Sequence, residues 1–97
     1  METEKINHFL EIANEIFEGI NNTAGPAPKI TMDDYLANAK LNDVGLDSLG
    51  VYEFYLHLET FYEISAKTVR NWLEDKDIRF IYLQNAVEFV EANKQTA

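Results

Sequence analysis

The chain has 97 residues, a formal net charge of −9 and no cysteine. This length suits one small domain, and the apolar fraction of 46% is enough to form a single core. Without cysteine, neither a disulfide framework nor a thiolate metal site can form. The negative charge would repel nucleic-acid phosphates, so we expect no binding to DNA or RNA and instead expect partners with basic surfaces.

The first predicted element is a helix with one buried face. Its apolar residues recur at spacings of three and four, which is the helical period. These residues are Ile6, Phe9, Leu10, Ala13, Ile16, Phe17 and Ile20.

A long connection follows, from about Asn21 to Leu46, because Gly25, Pro26 and Pro28 rule out a continuous helix. Within it, Thr31 and Asp34 have the spacing of a capping box and predict one short helical turn. Five apolar residues are expected to hold the connection against the core: Ile30, Met32, Tyr35, Leu36 and Leu41.

The second long helix is predicted from Ser48 to Tyr62 and carries two apolar strips. The expected core strip comprises Val51, Phe54, Tyr55, Leu58, Phe61 and Tyr62. A second strip beside it comprises Leu49, Tyr52 and Leu56. A helix with one buried face needs only the first strip. The second indicates either wider burial under the long connection or an exposed apolar patch for partners.

Two further helices complete the predicted fold. Ser65 is placed to cap a helix reaching about Glu74, and the segment Asp75-Lys76-Asp77 breaks the pattern. The last helix is predicted from Leu83 to Asn93, with Leu83, Ala86, Val87 and Val90 facing inward. We therefore predict a single all-α domain over residues 1–97, a small four-helix bundle with a long first loop and a short third helix.

The run Gly45-Leu46-Asp47-Ser48-Leu49-Gly50 joins a turn to the start of the second long helix. Ser48 is expected where free backbone N–H groups and the positive end of the helix dipole favour an anionic group. The simpler interpretation is that Asp47 or Ser48 merely caps the helix. Around this run, residues 41–66 contain five acids and no lysine or arginine. Such a stretch indicates either a solvated helix face or a docking surface.

Two other kinds of site do not fit the run. A serine hydrolase elbow needs glycine two residues before and two residues after the nucleophile, but Leu46 occupies the first of those places. The histidine of a triad is also missing, because His57 lies on the same helix as Ser48, more than two turns away. A calcium loop counted from Asp43 would put Phe54 where the bidentate glutamate belongs. We find no cluster with metal-ligand spacing.

The segment from Asp43 to Tyr62 resembles acyl carrier proteins, whose signature is Asp-Ser-Leu at the start of the second helix. The segment Asn85-Ala86-Val87-Glu88-Phe89-Val90 resembles the pattern of their fourth helix, and the order of elements is similar throughout. The resemblance implies a protein that is not itself an enzyme. It would carry 4′-phosphopantetheine covalently on Ser48, attached by a phosphopantetheinyl transferase that Asp47 helps to orient, and would hold acyl groups as thioesters.

The resemblance also implies how such a carrier meets its partners. The contacts to acyl-transferring and acyl-modifying enzymes with basic docking surfaces would be Leu49, Tyr52, Glu53, Leu56 and Glu59. The acyl chain could be sheltered by Phe54, Leu58, Ile78 and Ala86. Gly50 and the aromatic second helix favour a specialised fatty acid, polyketide or related acyl pathway over housekeeping synthesis. We expect a cytoplasmic monomer without a membrane span; the alternative is an unmodified interaction adaptor on the same bundle.

Overall fold

The computed structural model describes residues 3–20 and 28–94. In this part of the chain the fold is all-α, with five α-helices, one 3₁₀ helix and no strand. The α-helices are α1 (Thr3–Gly19), α2 (Met32–Leu36), α3 (Ser48–Phe61), α4 (Ala66–Glu74) and α5 (Leu83–Asn93). The 3₁₀ helix, Ile78–Phe80, lies between α4 and α5.

Local sequence signals set the starts of α2, α3 and α4. The side chain of Thr31 accepts a hydrogen bond from the backbone N–H of Asp34, and the Asp34 carboxylate accepts one from the Thr31 N–H, which confirms the capping box. The Ser65 side chain caps α4 by accepting a hydrogen bond from the N–H of Thr68. The predicted start and end of α5 coincide with those of the structure.

The connection between α1 and α3 is held down at several points. The Asn14 side chain both donates to the Ile30 carbonyl and accepts from the Ile30 N–H, at 3.0 and 2.8 Å. Further along, an antiparallel bridge pairs Lys40 with Tyr82, and the Leu41 N–H donates to the Ile81 carbonyl at 2.9 Å. The connection is therefore tied to α1 and to the start of α5; its residues 21–27, including Gly25 and Pro26, lie outside the described part.

One of the five residues expected to anchor this connection does not do so. Ile30 and Leu41 are buried, and Met32 and Tyr35 pack against the core. Leu36, in contrast, is 69% exposed. Leu36 is the last residue of α2, and the chain changes direction just after it, at Asn38 with φ 51°.

Phe54 lies at the centre of the core. Its ring lies 5.0 Å from that of Phe17, 5.8 Å from that of Tyr55 and 6.3 Å from that of Phe9, measured between centroids. The ring of Tyr55 in turn contacts Phe89, a core residue of α5. This cluster joins α1, α3 and α5 through aromatic contacts.

The core strip of α3 differs from the prediction at its end. Phe61, which was expected to be buried, is 51% exposed. The helix ends at this residue, and the following Tyr62 occupies the core position with 7% exposure. The second strip of Leu49, Tyr52 and Leu56 is exposed, so the explanation of wider burial is wrong and an apolar surface patch remains.

Gly45→Ala is expected to lower the free energy of unfolding by about 1–3 kcal/mol, because Gly45 has φ +117°, a conformation that L residues rarely adopt. The added Cβ would also lie 3.2 Å from the Pro28 Cβ. Gly19→Ala is the matched control: nothing lies within 4 Å of its Cβ position, so stability should not fall. Urea denaturation measures both, and equal stability of the two variants would contradict the expectation.

Candidate functional site

Hydrogen bonds from backbone and side chain hold the turn that precedes α3. The N–H of Leu46 donates to the carbonyl of Leu41 at 3.3 Å, and the N–H of Gly45 donates to the carbonyl of Asn42 at 3.2 Å. The Asn42 side chain completes the turn by donating to the Leu46 carbonyl at 2.6 Å. Because Leu41 and Leu46 are both buried, the turn is anchored at each end, next to the first residues of α3.

Asp47, not Ser48, caps α3. Asp47 has extended backbone angles, φ −78° and ψ 177°, and its Oδ1 accepts from the N–H of Gly50 at 2.6 Å. Ser48 is the first helical residue and is exposed. The side-chain cap thus does not use the Ser48 hydroxyl, which lies at the positive end of a 14-residue helix. This arrangement suits a hydroxyl that receives an anionic group.

An apolar face bordered by acids extends along α3 from this point. Leu49, Tyr52 and Leu56 are 52%, 46% and 40% exposed, and Tyr52 lies one turn beyond Ser48. Glu53 and Glu59 lie on the same helix and are partly exposed. Residues 41–66 contain no lysine or arginine, so this face combines exposed apolar area with acidic side chains from its own segment.

A groove of about 310 Å³ lies between α3, α4 and the 3₁₀ helix. Its apolar lining comes from all three elements, and Glu59, Arg70 and Glu74 contribute charged groups. The apolar residues are Tyr52, Leu56, Ala66, Val69, Leu73 and Ile78. The groove therefore continues the exposed face of α3 onto α4.

Of the four residues suggested for an acyl pocket, Ile78 lines this groove. Phe54, Leu58 and Ala86 are each 0% exposed and belong to the core cluster. The structure thus does not bring the four residues together around an open space. Phe54, Leu58 and Ala86 are packed against other core side chains, and a packed core leaves few voids. Sequence patterns did not indicate the contribution of α4, because the groove depends on how α3 and α4 pack.

Other site types are not found in the described residues. His57 is exposed and lies nine residues after Ser48, about 13 Å along the axis of α3, so its ring cannot hydrogen-bond to that hydroxyl. Residues 3–20 and 28–94 contain no group of three or more side chains placed to hold a metal ion. Nor does any helix in those ranges have the length and apolarity to cross a bilayer.

Comparison of the chain with protein-family models, curated proteins and solved structures found no significant match.

Proposed function

We propose that this chain is an acyl carrier protein that bears 4′-phosphopantetheine on Ser48. The observation that supports this most is that different residues cap α3 and offer an exposed hydroxyl at its start. Asp47 caps the helix, and Ser48 is exposed at the first helical position, inside the Asp-Ser-Leu sequence that resembles the attachment site of the family. A serine needed only as a cap would occupy the position of Asp47.

The residues around Ser48 fit the proposed arm. A phosphodiester on the hydroxyl would lie beside the free N–H groups and positive dipole of α3, which stabilise negative charge. The exposed position leaves the hydroxyl accessible to a modifying enzyme. When bound, the arm supplies a terminal thiol that holds acyl groups as thioesters, which explains how a chain without cysteine could take part in thiol chemistry.

The partners in this proposal are a phosphopantetheinyl transferase and enzymes that transfer or modify acyl groups. Leu49, Tyr52 and Leu56 would supply the apolar contact, and Glu53 and Glu59 would pair with basic residues on the partner. Because one carrier must serve several enzymes, these contacts should be brief and sensitive to salt. The proposal includes a monomeric four-helix bundle located in the cytoplasm.

Intact mass measurement tests the proposal. The protein is incubated with coenzyme A, Mg²⁺ and a broad-specificity phosphopantetheinyl transferase, and the expected result is the gain of one phosphopantetheine group. Failure to gain mass with several transferases would overturn the carrier proposal and favour an unmodified interaction adaptor that binds proteins through α3.

Reversing two charges on α3, Glu53→Lys with Glu59→Lys, is expected to slow transferase modification at low salt on the order of tenfold. Glu11→Lys with Glu15→Lys changes the net charge equally on an exposed part of α1 and is the matched control. Initial rates of modification are measured across a salt series, and added salt should also slow the wild type. Equal effects of the two double variants would show that total charge, rather than the α3 face, governs docking.

A further inference from the structure

A side chain contributes to holding the peptide between Leu46 and Asp47. The carbonyl oxygen of Leu46 accepts from the Asn42 side-chain amide at 2.6 Å. Since a peptide unit is planar, holding this oxygen also holds the N–H of Asp47 and thereby restricts the φ angle of that residue. Asp47 needs its extended conformation to cap α3.

Asn42 is itself held in place by its neighbours. The preceding residue, Leu41, is fully buried, and its N–H donates to the carbonyl of Ile81 at 2.9 Å. The carbonyl of Asn42 accepts from the N–H of Gly45. The side chain of Asn42 therefore links the anchored connection to the Leu46–Asp47 peptide, which directly precedes the cap of α3.

We propose that Asn42 is a positioning residue for Ser48, holding the Leu46–Asp47 peptide so that the Ser48 hydroxyl is presented in one orientation. This inference rests on the proposed function, since the reaction it concerns is transfer of phosphopantetheine to Ser48. The backbone bonds that close the turn, from Leu46 to Leu41 and from Gly45 to Asn42, do not need the side chain. Loss of the amide thus leaves the turn closed and removes one restraint on the orientation of the Leu46–Asp47 peptide.

The test compares two asparagines that each bind backbone groups of the same connection. Asn42→Ala and the nearly isosteric Asn42→Asp remove the amide donor. Asn14→Ala is the control, because Asn14 holds Ile30 at the far end of the connection from Ser48. Modification by the transferase with coenzyme A is measured per folded molecule. Both Asn42 variants should lower kcat on the order of tenfold, because misplacement of a reacting group slows chemistry. KM should hardly change, because the docking face of α3 is intact.

Amide hydrogen exchange provides a readout that does not depend on modification. The N–H of Gly50 donates to Asp47, so its exchange should accelerate in the Asn42 variants and stay unchanged in Asn14→Ala. A wild-type protein that gains no mass would overturn the proposed function. If the wild type is modified, two results would overturn the positioning role alone. One is that the Asn42 variants have the kcat of the wild type, and the other is that they behave like Asn14→Ala in both kcat and hydrogen exchange.

Discussion

Ser48→Ala is expected to abolish the gain of phosphopantetheine completely, because no other residue supplies the hydroxyl at the start of α3. The fold should persist, since Asp47 caps the helix and Ser48 is exposed. Alanine is also a good residue at a helical position. The measurement is intact mass after incubation with the transferase, together with circular dichroism to verify the helical content of the variant.

Ser65→Ala is the control, since Ser48 and Ser65 are the only serines of the chain. Ser65 accepts from the N–H of Thr68 as the cap of α4, so its loss should cost about 1 kcal/mol of stability. The Ser65→Ala variant should still gain phosphopantetheine on Ser48 as the wild type does. The two variants therefore separate a serine that reacts from a serine that caps. Retention of the mass gain in Ser48→Ala would show that the arm is attached elsewhere.

The starts of α3 and α4 were predictable because short-range chemistry sets them. An Asp or Ser before an apolar run satisfies the free N–H groups of a helix start wherever that helix packs. The same reasoning could not choose between Asp47 and Ser48 as the cap, because both side chains can accept the bond. The structure resolves this through the bond from Gly50 to Asp47.

The errors at Leu36 and Phe61 have a common physical origin. Both are apolar residues at the end of their helix, where an inward position was expected but the chain is about to change direction. The groove and the bonds of Asn14 were not predictable for another reason. They depend on contacts between separate elements, and a spacing rule within one element carries no information about them.

Phe54→Ala is expected to lower the free energy of unfolding by about 3–5 kcal/mol. Phe54 is fully buried, and its ring contacts those of Phe9, Phe17 and Tyr55, so truncation leaves a cavity in the middle of the core. Leu56→Ala, on the 40% exposed groove side of the same helix, should cost less than about 1 kcal/mol. Urea denaturation measures both, and similar losses in the two variants would show that the core relaxes around Phe54.

The same residue governs how an acyl chain on Ser48 would be accommodated. In the wild type, Phe54, Leu58 and Ala86 are in full contact with the core, so a chain could enter only by displacing side chains, at about 1–3 kcal/mol. We therefore expect melting temperatures of Ser48-linked acyl forms to stay flat or fall as the chain lengthens. In Phe54→Ala they should rise, because each methylene that fills the cavity contributes up to about 0.8 kcal/mol. A steady rise in the wild type would contradict this. If Leu73→Trp, which narrows the groove, abolished such a rise, the chain would lie between α3 and α4 instead.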